Sequence, residues 1–143
     1  MPLTHDHHHA LAHARRLRVA AGGDIEELLQ ESQTFLDFFR DHTIDHFREE
    51  EEIIFPLAIE DERATKLLTQ VVTEHLQIHA MVARLAIEIA ETRVHVQTAT
   101  RLAEALEAHI RLEEKEVFPL LEAVVSDDQL RRITLTPRDR SAA

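Results

Sequence analysis

Two stretches of the chain repeat one pattern of histidine and glutamate. They are His46-Phe-Arg-Glu-Glu50-Glu-Glu-Ile-Ile-Phe55-Pro56 and His109-Ile-Arg-Leu-Glu113-Glu-Lys-Glu-Val-Phe118-Pro119. Both read H-x-x-x-E-E-x-x-x-F-P, and imidazole nitrogens and carboxylate oxygens are ligands for divalent metals. Because residues four apart lie on one face of a helix, the His and Glu of each stretch would point the same way. The spacing predicts two halves of a metal site.

Two further stretches supply histidines that could complete this site. His75 and His79 are again four residues apart, on a face that is otherwise apolar. Near the N-terminus, His7 shares a helical face with Ala10, Leu11, Ala14, Leu17 and Ala21. We select His7 as the N-terminal ligand, with His8 and His5 as alternatives. The predicted metal ligands are therefore His7, His46, Glu50, His75, His79, His109 and Glu113.

The two glutamates need a cation if their helical faces are buried. A charged carboxylate in a helix-bundle core costs several kcal/mol unless a partner of opposite charge is present. One such residue could be paired with Arg, but Glu50 and Glu113 each lie one turn from a histidine on the same face. This arrangement favours a shared metal over two separate ion pairs.

The composition supports a helical metal protein and excludes several other classes. The chain has 143 residues, which suits one domain, and it contains 11 His, 2 Gly and no Cys. The absence of Cys excludes disulfides, Cys-ligated zinc and iron–sulfur clusters. A net charge of −11 is the wrong sign for binding nucleic acid or an anionic membrane surface. We therefore expect neither nucleic acid nor a membrane as a partner.

The N-terminus and the apolar runs bear on localisation. Residues 1–13 are polar and lack the apolar core of a signal peptide. Charged residues interrupt every apolar run before it reaches the roughly 18 residues that a membrane span needs. We expect a cytoplasmic protein.

Four long segments with helical periodicity must position the candidate ligands: residues 5–21, 24–58, 62–93 and 97–124. Short connections between long amphipathic helices predict an all-α fold, an antiparallel up-down-up-down four-helix bundle. Ser126, with Gln129 three residues later, predicts a capping box that begins a short C-terminal helix. We divide the chain into a bundle, residues 1–125, and a short helix with a disordered tail, residues 126–143.

The predicted apolar faces place the ligands in the core. In the second segment this face comprises Leu28, Phe35, Phe39, His46, Glu50, Ile53 and Leu57. In the fourth segment it comprises Leu102, Ala105, Leu106, His109, Glu113, Val117 and Leu120. Both sets follow three- and four-residue steps, as an unbroken α-helix requires.

The doubled H-x-x-x-E-E pattern with its downstream Phe-Pro resembles the hemerythrin-like, or HHE cation-binding, domains. The resemblance extends to about residue 124 and implies two Fe ions with an oxo or hydroxo bridge inside a four-helix bundle. It implies that His46, His75, His109 and an N-terminal His are terminal ligands, that Glu50 and Glu113 bridge the metals, and that His79 matches a fifth histidine of some members. Zinc or manganese could occupy the same ligands.

One departure from the family pattern concerns the carboxylate of the last helix. Oxygen-carrying hemerythrins have an Asp at a different spacing, whereas this chain has Glu113 four residues after His109. The chain therefore looks more like the bacterial and regulatory branch than the respiratory carriers.

The resemblance implies a protein that binds O2, or another small diatomic or peroxide ligand, for storage, sensing or delivery, rather than an enzyme. The alternatives are a di-iron oxidoreductase acting on peroxide, nitric oxide or O2, and an iron-handling or iron-sensing protein. Two six-coordinate irons offer about twelve coordination positions. Two bridging glutamates, an oxo or hydroxo bridge and five histidines would fill all but about one of them. If His79 is not a ligand, about two are open, which favours redox chemistry. Ferritin-type oxidases use Glu-x-x-His instead, and the chain has no Tyr that could form a radical.

Overall fold

The computed structural model describes the backbone of residues 2–126 and 128–129, and the side chains of residues 7–126 and 128–129. Within these residues the secondary structure is helical and contains no strand. The predicted all-α class is confirmed. The predicted disordered tail lies outside the described residues.

Between residues 2 and 126, six α-helices and four shorter helical turns form four long segments. The helices are α1 (Pro2–Ala20), α2 (Ile25–Phe38), α3 (Ile44–Glu49), α4 (Glu62–Ala90), α5 (Val96–Leu112) and α6 (Phe118–Val124). The π-helical turns are Phe39–Thr43, Glu50–Ile54 and Glu113–Val117, and a 3₁₀ turn covers Phe55–Leu57. Helix α2 thus continues through α3 to residue 57, and α5 continues through α6 to residue 124.

The ends of the segments follow local capping chemistry. Asp24 caps α2 by accepting a hydrogen bond from the Glu27 amide at 2.8 Å, and Asp61 caps α4 by accepting one from the Arg63 amide at 2.9 Å. Helix α4 ends earlier than its apolar pattern suggests, because Thr92 adopts a left-handed conformation with φ 56°.

Buried Glu88 holds the turn that follows α4. Its carboxylate accepts hydrogen bonds from the His95 amide, the Thr98 hydroxyl and the Arg84 guanidinium, at 2.8, 2.8 and 2.9 Å. Burial opposes ionisation, but these donors lower the pKa of Glu88 below its usual value. The carboxylate therefore fixes the chain where α4 gives way to α5.

The four segments form a bundle in which α1 packs against α2 and α5, and α4 packs against α2 and α5. Two apolar clusters fill it, one around Phe35, Phe39 and Leu102, the other around Leu68 and Leu121. A layer of buried His and Glu lies between them: on α4, for example, His75 lies between Val71 of one cluster and Ile78 of the other. None of the described helices is long and apolar enough to cross a membrane.

The predicted apolar face of the second segment is wrong after Glu50. Ile53 and Leu57 are 39% and 38% exposed, whereas Ile54 and Phe55 are buried at 3% and 4%. The π turn that starts at Glu50 contains one more residue per turn than an α-helix, so the buried face moves along the sequence by one residue. The predicted face requires an unbroken α-helix, which residues 50–57 do not form.

The predicted capping box after α6 is present. The Gln129 amide donates to the Ser126 hydroxyl at 3.2 Å, and the Gln129 side chain accepts from the Ser126 amide at 3.1 Å. The division of the chain at residue 125 stays a prediction.

Candidate metal centre

Each copy of the repeated motif contains a π turn that begins at its first glutamate. The amide of Phe55 donates to the carbonyl of Glu50, and the amide of Phe118 donates to that of Glu113, each across five residues. A proline follows each Phe; it has no amide hydrogen, and its ring clashes with the carbonyl four residues earlier in an α-helix. The wider turn is compatible with both restrictions. Both copies of the motif thus combine a Phe-Pro pair with a π turn that begins at the glutamate of the layer.

Four histidines surround the two glutamates. Around Glu50, the His75 Nε2 lies 3.1 Å from Oε1 and the His46 Nε2 lies 3.5 Å from Oε2. Around Glu113, the Nε2 atoms of His7 and His109 lie 3.2 and 3.1 Å from Oε1. All six side chains are buried. One histidine comes from α1, one from α3, one from α4 and one from α5, so every long segment contributes.

These six residues form two overlapping groups of four. His7 and His46 belong to one group and His75 and His109 to the other, while Glu50 and Glu113 belong to both. Within each group, one ligand atom from every residue lies within 4.8 Å of the others. Two groups that share two carboxylates are the arrangement expected for two metal ions bridged by those carboxylates.

Several polar atoms of the layer have no hydrogen-bond partner in the described part of the chain. They are both carboxylate oxygens of Glu50, both ring nitrogens of His75, Nε2 of His109 and Oε2 of Glu113. A buried polar atom without a partner costs about 1–3 kcal/mol, and native proteins contain few of them. Metal ligation would satisfy inward-facing atoms of this kind, so the donor set fits divalent cations.

The protonation states suit this interpretation. Burial raises the pKa of Glu50, and the charge of Glu113 raises it further, because two carboxylates in contact resist ionising together. Burial and the neighbouring His109 lower the pKa of His75 to about 3, so its imidazole is neutral at pH 7. Burial alone would lower the pKa of His109, but the neighbouring carboxylates of Glu113 and Glu74 raise it.

A second set of carboxylates faces the outer nitrogens of three histidines. The His109 Nδ1 donates to Glu74 at 2.8 Å, and the His7 Nδ1 lies 3.3 Å from Glu114. The His75 Nδ1 lies 3.6 Å from Glu51. A carboxylate on the outer nitrogen fixes the ring orientation and the tautomer of a metal-binding histidine.

The sequence contained a signal for two of these outer carboxylates. Glu51 and Glu114 are the second glutamates of the two H-x-x-x-E-E motifs. The first glutamate of each motif points into the layer, and the second reaches a histidine of a different segment. Glu114 and Glu74 were not among the predicted site residues.

The remaining candidates lie apart from the two groups. His79 is half-buried against the rings of Phe39 and Phe47, with centroid distances of 5.4 and 5.8 Å, and belongs to neither group. His8 is exposed, and the side chain of His5 lies outside the described residues. Of the three N-terminal alternatives, the structure places His7 in the layer.

Comparison with known proteins agrees with this geometry. No curated protein and no solved structure is significantly similar to the chain. The family model described as the Hemerythrin HHE cation binding domain matches residues 2–121, which include both repeated motifs and all but the last three residues of the four long segments. Such domains bind metal cations, as the two His and Glu groups lead one to expect. The resemblance found in the sequence is confirmed, and the chain belongs to the hemerythrin HHE cation-binding family.

Proposed function

We propose that this chain holds a non-haem di-iron centre and binds O2 or a related small molecule there. The observation that supports the proposal is the pair of ligand groups that share Glu50 and Glu113. Each group would hold one ion, the shared glutamates would bridge the two, and an oxo or hydroxo group would complete the bridge. The terminal ligands would be His7, His46, His75 and His109. Zinc or manganese would fit the same donors.

The protein residues would bind and orient the metals and limit access of water. Glu50 and Glu113 supply two negative charges against two divalent ions in a layer closed on both sides by apolar clusters. Glu74, Glu114 and Glu51 would hold the rings of three ligands by their outer nitrogens. This support keeps each Nε2 directed at the centre whether or not a small molecule is bound.

The position of His79 favours a second candidate function. A di-iron centre with open coordination positions can bind and reduce O2, peroxide or nitric oxide. Four histidines, two bridging glutamates and an oxo or hydroxo bridge leave about two positions open on two six-coordinate irons, against about one if His79 were a fifth histidine ligand. Because His79 lies outside both groups, an oxidoreductase acting on these molecules is the second candidate.

Metal analysis and absorption spectra test the proposal. We expect two irons per chain and, on adding O2 to the reduced protein, a charge-transfer spectrum that reverses when O2 is removed. Irreversible oxidation with consumption of peroxide or nitric oxide would favour the second candidate. A colourless protein that retains only zinc would exclude both functions.

Two variants and a matched control test whether Glu50 and Glu113 bridge the metals. Glu50→Ala and Glu113→Ala should each lower the metal content, because each removes a ligand from both groups. Glu52→Ala changes an exposed glutamate near Glu50 and should leave two metals bound. Two metals retained in Glu50→Ala would contradict the bridging assignment.

We also propose that the four segments run antiparallel, up-down-up-down. The connections, residues 21–24, 58–61 and 91–95, are too short to cross the length of the bundle. In this order, the start of α2 and the end of α4 lie at the same end of the bundle. The distance between spin labels at the exposed residues 25 and 87 should therefore be short, and a distance near the length of the bundle would contradict the order.

A further inference from the structure

A cavity of about 330 Å³ extends from the surface of the protein to the candidate metal centre. At its outer end lie His9 and His42, which are exposed, and next to them His13 and Phe38, which are half-buried. The inner end is lined by four proposed metal ligands: His7, His46, His109 and Glu113. Exposure therefore falls from the mouth to the inner end, as in an entrance to a buried site.

The cavity is much larger than a diatomic molecule requires. A water molecule occupies about 30 Å³ in the liquid, and a diatomic ligand is of similar size. Pockets for organic ligands begin at about 300 Å³. The volume of this cavity thus suits a small organic molecule next to the metals.

The wall between the mouth and the inner end is aromatic and apolar. The ring of Phe38 stacks on His13 at a centroid distance of 4.1 Å and lies 5.1 Å from His42. Deeper in the cavity the wall consists of the apolar residues Ala10, Phe47, Leu106 and Ile110 and the polar Thr43, all buried. No Lys or Arg is among the described lining residues. This wall suits the flat apolar body of a ligand rather than a charged one.

The inner end suits an acidic oxygen. In the proposed centre about two coordination positions are open, and divalent metals bind carboxylate and other anionic oxygens. Four of the proposed ligands, among them His46 and His109, line this end of the cavity. A ligand that fills the cavity would direct a phenol or carboxylate oxygen toward this end and its ring toward Phe38 and Phe47.

We propose that this cavity is a binding site for a small aromatic molecule that carries one acidic oxygen group, a phenol or a carboxylate. The proposal rests on the proposed function, because the metals supply the coordination positions that the acidic oxygen would take. The protein would then hold an organic ligand within reach of its metal centre, in addition to any diatomic molecule.

Titration calorimetry on the zinc-loaded protein tests this site without redox chemistry. The probes are benzoate and phenol, with acetate as the acid without a ring and toluene as the ring without an acid. We expect one equivalent of benzoate to bind at least about tenfold more tightly than acetate, because its ring is buried. Phenol should bind with the same stoichiometry, and toluene more weakly than either aromatic acid.

Variants of the wall separate the cavity from the metals. Ala10→Phe fills the cavity from α1 and should weaken benzoate binding by about tenfold or more, with unchanged zinc content. Ala12→Phe adds the same ring to α1 outside the described lining and should leave the affinity unchanged. Phe38→Ala serves as a second variant because Phe38 is half-buried, and its loss should weaken benzoate binding by about 2- to 10-fold.

Each contrary result has a defined meaning. Equal affinities for benzoate and acetate, or for benzoate and toluene, would overturn the proposal. So would full zinc content without benzoate binding, which would leave the proposed metal centre intact. A protein that binds no metal would contradict the metal centre and the aromatic site together.

Discussion

Removal of the metals should greatly lower the thermal stability of the protein. In the metal-free layer, five inward-facing buried atoms of Glu50, His75, His109 and Glu113 have no hydrogen-bond partner in the described part of the chain. Each costs about 1–3 kcal/mol, and protonation of Glu50 relieves part of the total. The metal-free bundle therefore folds around a polar layer that only bound cations would satisfy.

The size of the effect follows from mass action. Metal at about 1,000 times its dissociation constant stabilises the folded state by about 4 kcal/mol per site. For a domain of roughly 150 residues, 1 kcal/mol corresponds to about 2–4 °C in Tm. One site would therefore raise Tm by about 8–16 °C, and two sites by more.

Calorimetric melts of the iron-loaded and the chelated protein measure this difference. The double variant Glu50→Ala/Glu113→Ala should melt at one temperature with or without chelator, because neither group can form. The double variant Glu52→Ala/Glu116→Ala changes exposed glutamates of the same motifs and should keep the full difference. A wild-type Tm that chelation leaves unchanged would refute the reasoning.

Four further variants test other parts of the structure. Glu74→Gln should weaken metal binding by about 10- to 100-fold, because the His109 Nδ1 loses its charged acceptor; competition with a chromogenic chelator measures this. Glu88→Gln should lower the free energy of unfolding in urea by about 1–3 kcal/mol at pH 7. Because the pKa of Glu88 is lowered in the folded state, this difference should shrink as the pH falls below about 4. Ile54→Ala should cost about 2–5 kcal/mol, and Ile53→Ala much less.

The controls for these variants lie on the same elements. Glu91→Gln changes an exposed glutamate after α4 and should leave the metal affinity unchanged. A difference between wild type and Glu88→Gln that persists at low pH would show that the carboxylate charge is not what fixes the turn. A larger loss for Ile53→Ala than for Ile54→Ala would contradict the π turn.

The sequence predicted most of the helical architecture because helix formation depends on nearby residues. Asp24 and the Ser126 capping box act within three residues, and both are present as expected. The repeated motif located His46, Glu50, His109 and Glu113 because a spacing of four residues places side chains on one face of any helix. Four of the six residues that meet in the layer were thus found by local spacing.

The same local reasoning failed where the helix itself changes. In the second segment, Ile54 and Phe55 are buried instead of the predicted Ile53 and Leu57. The π turn there adds a residue that a fixed helical period does not include.

The sequence by itself determined the helical segments, the family and the two halves of the ligand set. Only the tertiary structure decided which groups face one another across the bundle. It brought His7 to Glu113 over 106 positions of sequence, left His79 outside both groups, and placed Glu74 on the ring of His109. Such pairings depend on the relative rotation and height of packed helices, and periodicity within a single helix contains no information about either.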